Sequence, residues 1–130
     1  MKLHHWMLTL AAGAMLVGCQ ANKPAGSNAP AVDDATYAAL KSEFAAVRPG
    51  SLVGRVVKVA PQENAAEIAD LPADQFSAGQ VVLFIDAQQN PLAYGTVFLT
   101  TPQTVMVRYT VEEGGRAPVV GDVAVRLARN

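Results

Sequence analysis

Thr104-Val105-Met106-Val107-Arg108-Tyr109-Thr110-Val111 sets Val105, Val107, Tyr109 and Val111 on one side of an extended chain and Met106, Arg108 and Thr110 on the other. A period of two marks a strand with one buried face. Val123 to Leu127 repeats the pattern, with Val123, Val125 and Leu127 opposing Ala124 and Arg126. Val81-Val82-Leu83-Phe84-Ile85 is apolar on both faces. A strand of that kind needs cover on both sides, and the expectation is core on one side and a helix on the other.

Outward from these three, the chain between Leu52 and Leu127 holds fourteen Val and two Ile, residues suited to a pleated, half-buried surface. Six runs stand out: Leu52 to Ala60, Ala66 to Leu71, Gln80 to Asp86, Leu92 to Thr100, Thr104 to Thr110 and Val123 to Leu127. Turn chemistry separates them, in Pro61-Gln62-Glu63-Asn64, Gln88-Gln89-Asn90-Pro91, Thr101-Pro102-Gln103 and Glu113-Gly114-Gly115-Arg116. Short strands with tight turns and no helices between them predict a mainly β domain over residues 50–130, a small closed antiparallel six-stranded barrel. Closure also removes sheet edges that so Val-rich a chain would otherwise expose.

Before the barrel, residues 33–48 read as one short amphipathic α-helix. Asp33-Asp34 supplies a cap and a favourable charge at its start, and Pro49-Gly50 stops it. Tyr37, Leu40, Phe44 and Val47 form one apolar stripe. Four turns with such a stripe are not stable alone in water. It either packs on the barrel or seals a homo-oligomer, although it spans under two heptads.

Residues 20–32, Gln-Ala-Asn-Lys-Pro-Ala-Gly-Ser-Asn-Ala-Pro-Ala-Val, are small and polar with no apolar period and read as a flexible tether. Ahead of it, Met1 to His5 is a short basic start, and Trp6 to Val17 is almost wholly apolar. Twelve residues of helix span roughly 18 Å, short of a hydrocarbon core of about 30 Å. Residues 1–18 therefore read as a removable signal peptide rather than a membrane span. Leu16-Val17-Gly18-Cys19 resembles the lipobox of bacterial lipoproteins. The resemblance implies cleavage before Cys19, a diacylglyceryl thioether on its sulfur and a fatty acyl chain such as palmitate on its new amine. Two or three chains anchor stably where one is marginal. In that family an Asp after the Cys favours inner-membrane retention, and Gln20 here points to the periplasmic face of the outer membrane.

The barrel region has a likeness of its own. Gly54-Arg55-Val56-Val57-Lys58-Val59, Phe76-Ser77-Ala78-Gly79-Gln80, Tyr94-Gly95-Thr96-Val97 and Val120-Gly121-Asp122-Val123 are similar to the small six-stranded barrels of bacterial envelope proteins, such as the C-terminal domain of the flagellar assembly protein T. That resemblance covers about residues 50–127, implies the architecture and carries no catalytic residue.

The chain has 130 residues, 51% of them hydrophobic, with ten basic and eleven acidic side chains and one Cys. This is one domain, with no charge excess for nucleic acid and no disulfide framework. His4, His5 and Trp6 leave with the signal peptide, and lipidation takes the only thiol. The remainder lacks the residues of a Ser-His-Asp or Cys-His site and of His- or Cys-ligated zinc. No cofactor and no metal are expected. Carboxylates survive as candidates, with Asp70 and Asp74 flanking Leu71-Pro72-Ala73, and Glu63 and Glu67 upstream. A glycosidase needs two of them about 5–9.5 Å apart in a cleft. Asp86-Ala87-Gln88-Gln89-Asn90 has the first three ligand spacings of a calcium loop but puts Pro91 where Gly is needed and Val97 where Glu is needed, so it reads as a hairpin. Ser77 and Lys58 have no supporting spacing as a catalytic pair. Arg55, Arg108, Arg126 and Arg129 read as solvated faces.

Three functions follow as expectations. The first is a lipid-anchored envelope lipoprotein whose non-enzymatic domain binds or scaffolds an envelope protein or polymer. The second is a small Asp/Glu-dependent glycan hydrolase. The third is a structural homo-oligomer built on Tyr37, Leu40, Phe44 and Val47.

Overall fold

A computed structural model describes residues 29–127. The signal peptide, Cys19, most of the tether and Arg129 lie outside the described residues. Among the described residues one α-helix, α1 (Asp34–Val47), precedes six strands: β1 (Leu52–Ala60), β2 (Ala65–Ala69), β3 (Val81–Ile85), β4 (Pro91–Thr100), β5 (Thr104–Val111) and β6 (Val123–Arg126). Every strand pairs antiparallel with two neighbours in the closed order β1-β2-β5-β4-β3-β6. The mainly β, closed six-stranded barrel after one helix is thus the observed fold, with strand limits within two residues of those expected.

Closure depends on the shortest strand. β6 has four residues and lies between β1, where Leu52–Arg55 pairs with it, and β3, where Leu83–Ile85 does. The antiparallel order groups the connections. The β1–β2, β3–β4 and β5–β6 connections lie at one end of the barrel, and the β2–β3 and β4–β5 connections at the other.

Two apolar clusters share the barrel wall. The interior holds Val56, Ile68, Val82, Phe84, Val97, Val105, Val107, Tyr109 and Ala124, with Leu71 and Phe76 of the β2–β3 loop in the same cluster. A narrow barrel leaves little room inside, and Gly54 shows how little. A Cβ there would sit 2.6 Å from the Ala69 carbonyl oxygen and 2.6 Å from the Leu71 side chain. The second cluster lies on the outside, where Val53, Ile85, Val123 and Val125 meet Val32 and Leu40, with Tyr37, Phe44 and Leu83 packed against them.

β3 therefore behaves as its sequence implies, with Val82 and Phe84 inward and Leu83 and Ile85 under the helix. β6 uses its alternation the other way round from β5. Its small residue, Ala124, faces the interior, and the bulky Val123 and Val125 face the helix.

The Asp33 carboxylate accepts the Thr36 N–H at 2.8 Å and caps α1. That backbone donor also holds its carboxyl below the usual range. The helix stripe packs on the barrel through Leu40, only 4% exposed, and through half-buried Tyr37 and Phe44. Val47, at the last turn, is 70% exposed.

Leu40→Ala is expected to cost about 2–5 kcal/mol of unfolding free energy, and Val47→Ala less than about 0.5 kcal/mol, by urea denaturation. Equal losses would mean that the stripe is not seated on the barrel as described.

Candidate functional site

The loop from Glu112 to Asp122 holds the strongest polar constellation among the described residues. Glu112 N–H and Arg116 N–H both donate to the Leu92 carbonyl, at 3.1 and 3.2 Å, and pin the loop to the start of β4. Gly115 makes that approach possible, because a Cβ there would lie 2.0 Å from the same oxygen. Arg116 then reaches across to Asp122. Its Nη1 and Nη2 donate to Oδ2 and Oδ1 at 2.7 and 2.9 Å, and Val119 N–H donates to Oδ2 at 2.8 Å. Asp122 is 0% exposed. A carboxylate so buried persists because a bidentate guanidinium and a backbone N–H replace its water. The bond from Asp122 raises the Arg116 pKa further above its ordinary value.

Two guanidiniums fasten the N-terminal segment onto this loop. Arg116 Nε donates to the Ala29 carbonyl at 2.8 Å. Arg55 donates Nε to the Gly121 carbonyl at 3.0 Å, and its terminal nitrogens to the Val32 carbonyl and to the Asp34 carboxylate. Arg55 is thus a part-buried fastener rather than the solvated residue expected. Arg126 is also drawn in, 4.7 Å over the Phe76 ring with a bond to the Gln75 carbonyl, whereas Arg108 stays exposed over Phe98.

The candidate carboxylates do not converge. Asp70 accepts from Tyr37 Oη at 2.5 Å and Lys41 Nζ at 2.7 Å and so docks the helix. Those two bonds, the lysine's first, hold its carboxyl below the usual range, while burial and then Asp70 push the Tyr37 phenol up. Asp74 instead lines an open trough of about 430 Å³ with Leu71, Pro72, Ala73, Thr100, Thr101 and Pro102. Glu67 lines a separate apolar slot with Lys58, Val59, Ala60, Ala65, Ala66 and Met106, and Glu63 sits in the β1–β2 turn at the opposite end from the trough.

Ser77 belongs to the β2–β3 loop, where its N–H donates to Gln80, and Lys58 to the apolar slot, so the structure does not pair them. Asp86 is a hairpin residue, its Oδ1 taking the Gln88 and Asn90 N–H groups and its Oδ2 the Asn90 amide. Among the described residues, no group of three or more His, Cys, Asp or Glu could hold a metal ion.

The sequence does not announce the Arg116–Asp122 fork, because Glu113-Gly114-Gly115-Arg116 reads as a turn. The available signal was an Asp directly before a Val-rich strand and an Arg six residues upstream in one loop. No family model, curated protein or solved structure matches the chain.

Asp122→Ala removes a wholly buried carboxylate and leaves the part-buried Arg116 and the Val119 N–H without their partner, and it is expected to cost about 3 kcal/mol, read as a lower urea midpoint. Asp70 behaves differently, because it is half exposed. Its folded-state pKa lies below the unfolded value near 3.9, so its contribution is complete above about pH 4 and fades as pH falls through the folded-state pKa. At pH 7 and low salt Asp70→Asn should lower stability by under about 1 kcal/mol. The gap to wild type should narrow as pH falls below about 4, and a gap that does not shrink in acid would sink the assignment.

Proposed function

We propose that this chain is a lipid-anchored envelope lipoprotein whose barrel serves as a non-enzymatic binding or scaffold module. The observation that carries the reading is Leu16-Val17-Gly18-Cys19 at the end of an apolar run. Cys19 takes the lipid, residues 20–28 span the gap to the folded domain, and Gln20 directs the protein to the periplasmic face of the outer membrane. The absence of His and of a second Cys after residue 18 removes the commonest nucleophilic and metal chemistries from the exported part.

The arrangement of the domain supports this reading. The segment that continues from the tether is fastened at the end of the barrel carrying the β5–β6 loop. The trough of Leu71 to Asp74 and Thr100 to Pro102 lies at the other end. An anchor at one end leaves the trough turned toward the periplasm, where an envelope protein or polymer takes it. Thr101, one of its lining residues, is held in the β4–β5 turn by a hydroxyl bond with Thr104, 2.8 Å long.

Radiolabelled palmitate fed to cells should label the wild-type protein, and Cys19→Ala should abolish the label and release the protein from the membrane fraction. Label that survives the substitution would overturn the proposal.

A further inference from the structure

The β5–β6 loop has an apolar tip that its own fold leaves uncovered. Val119 is 41% exposed and Val120 56%. Residues 117–121, Ala-Pro-Val-Val-Gly, carry no charge. The charges that flank them, Arg116 and Asp122, neutralise each other through the two bonds of their fork, and Asp122 is wholly buried. Residues 117–121 therefore present apolar surface with no charged side chain of their own to strip of water.

The course of the N-terminal segment says what that surface meets. Ala29 is held by Arg116, Val32 is held by Arg55, and Ala31 lies against Gly121, where an added Cβ would sit 3.2 Å from the Ala31 side chain. The segment leading back to Cys19 thus leaves the domain beside the valine pair. Nine residues, 20–28, separate Cys19 from Ala29, and ten Cα steps reach no more than about 35 Å even fully extended. The tether therefore joins the barrel at the end that carries the loop tip.

Resting on the lipid anchor proposed above, we infer that Val119 and Val120 enter the interfacial zone of the same bilayer and set the barrel upright on it. An apolar projection of this kind seats at the headgroup–acyl boundary. Glu112 and Glu113 stand on the near limb of the loop, and Glu63 in the β1–β2 turn at the same end. Arg55 and Arg116 beside the tip are taken up by Asp34 and Asp122, so the contact rests on the valines and needs no anionic lipid.

The test uses the full-length lipidated protein, reconstituted in phosphatidylcholine vesicles containing a spin-labelled acyl chain as quencher. Val120→Cys carries an environment-sensitive fluorophore, and Gln103→Cys in the β4–β5 turn at the opposite end serves as the reference. The label at 120 should emit further to the blue and be quenched at least twofold more than the label at 103, and adding phosphatidylglycerol should not increase the difference. Val119→Asp, added to the Val120→Cys protein, should bring the label at 120 back to the reference behaviour. Equal quenching at 120 and 103 overturns the inference. Mass spectrometry of Cys19 in the same preparation separates the two failures. A lipidated Cys19 with equal quenching leaves the anchor standing and the orientation wrong, and an unlipidated Cys19 removes both.

Discussion

The Asp122 carboxylate, fully buried and gripped by both terminal nitrogens of Arg116, is the constraint on which the rest of the structure depends. It stands immediately before β6, the four-residue strand that closes the barrel. So short a strand has few ladder bonds with which to choose its register. A buried charge with only one satisfied position supplies that choice, because any slip would leave it desolvated and unpaired. The same guanidinium holds the Ala29 carbonyl, and Arg55 holds Val32 and Asp34 beside it, so the contact that places β6 also takes part in setting the path of the chain into the helix.

The barrel wall is used on both sides. Inside, the space is so restricted that Gly54 admits no side chain and Ala124 is the β6 contribution. Outside, Val53, Ile85, Val123 and Val125 are covered by Leu40, Tyr37, Phe44 and Val32. The helix is thus a second hydrophobic layer on one sector of the barrel, and Asp70, with Tyr37 and Lys41, adds polar bonds at its border.

Much of this was legible in the residues because strands announce themselves by period and turns by composition. Val81 to Ile85 implies cover on both faces, and Val82, Leu83, Phe84 and Ile85 have it, while Val81 at the strand's start is 55% exposed beyond the helix cluster. What alternation cannot say is which face turns inward. In β5 the bulky residues fill the interior, while in β6 they lie under the helix and the interior takes Ala124. That decision belongs to the volume left by the other five strands, which no local pattern contains. Two of the exposed arginines expected on strand faces became fasteners for the same kind of reason. Arg55 meets carbonyls supplied by residues 32 and 121, and Arg126 meets the ring of Phe76, and such partners are distant in sequence. For the candidate carboxylates, spacing placed Asp70 and Asp74 close along the chain. The loop between them turns one toward the helix and the other into the trough.

The position of β6 has a consequence for the order of events when the protein is made. It is sixth among the strands in chain order, yet it fills the gap between the first and the third. A ribosome delivers β1 to β5 first, and until Arg126 emerges the edges of β1 and β3 have no partner. The helix has no finished surface either, because Val123 and Val125 form part of its seat. Until β6 docks, the other five strands therefore carry two open edges, on β1 and on β3, which makes the last strand the one that removes the sheet's exposed pairing surface.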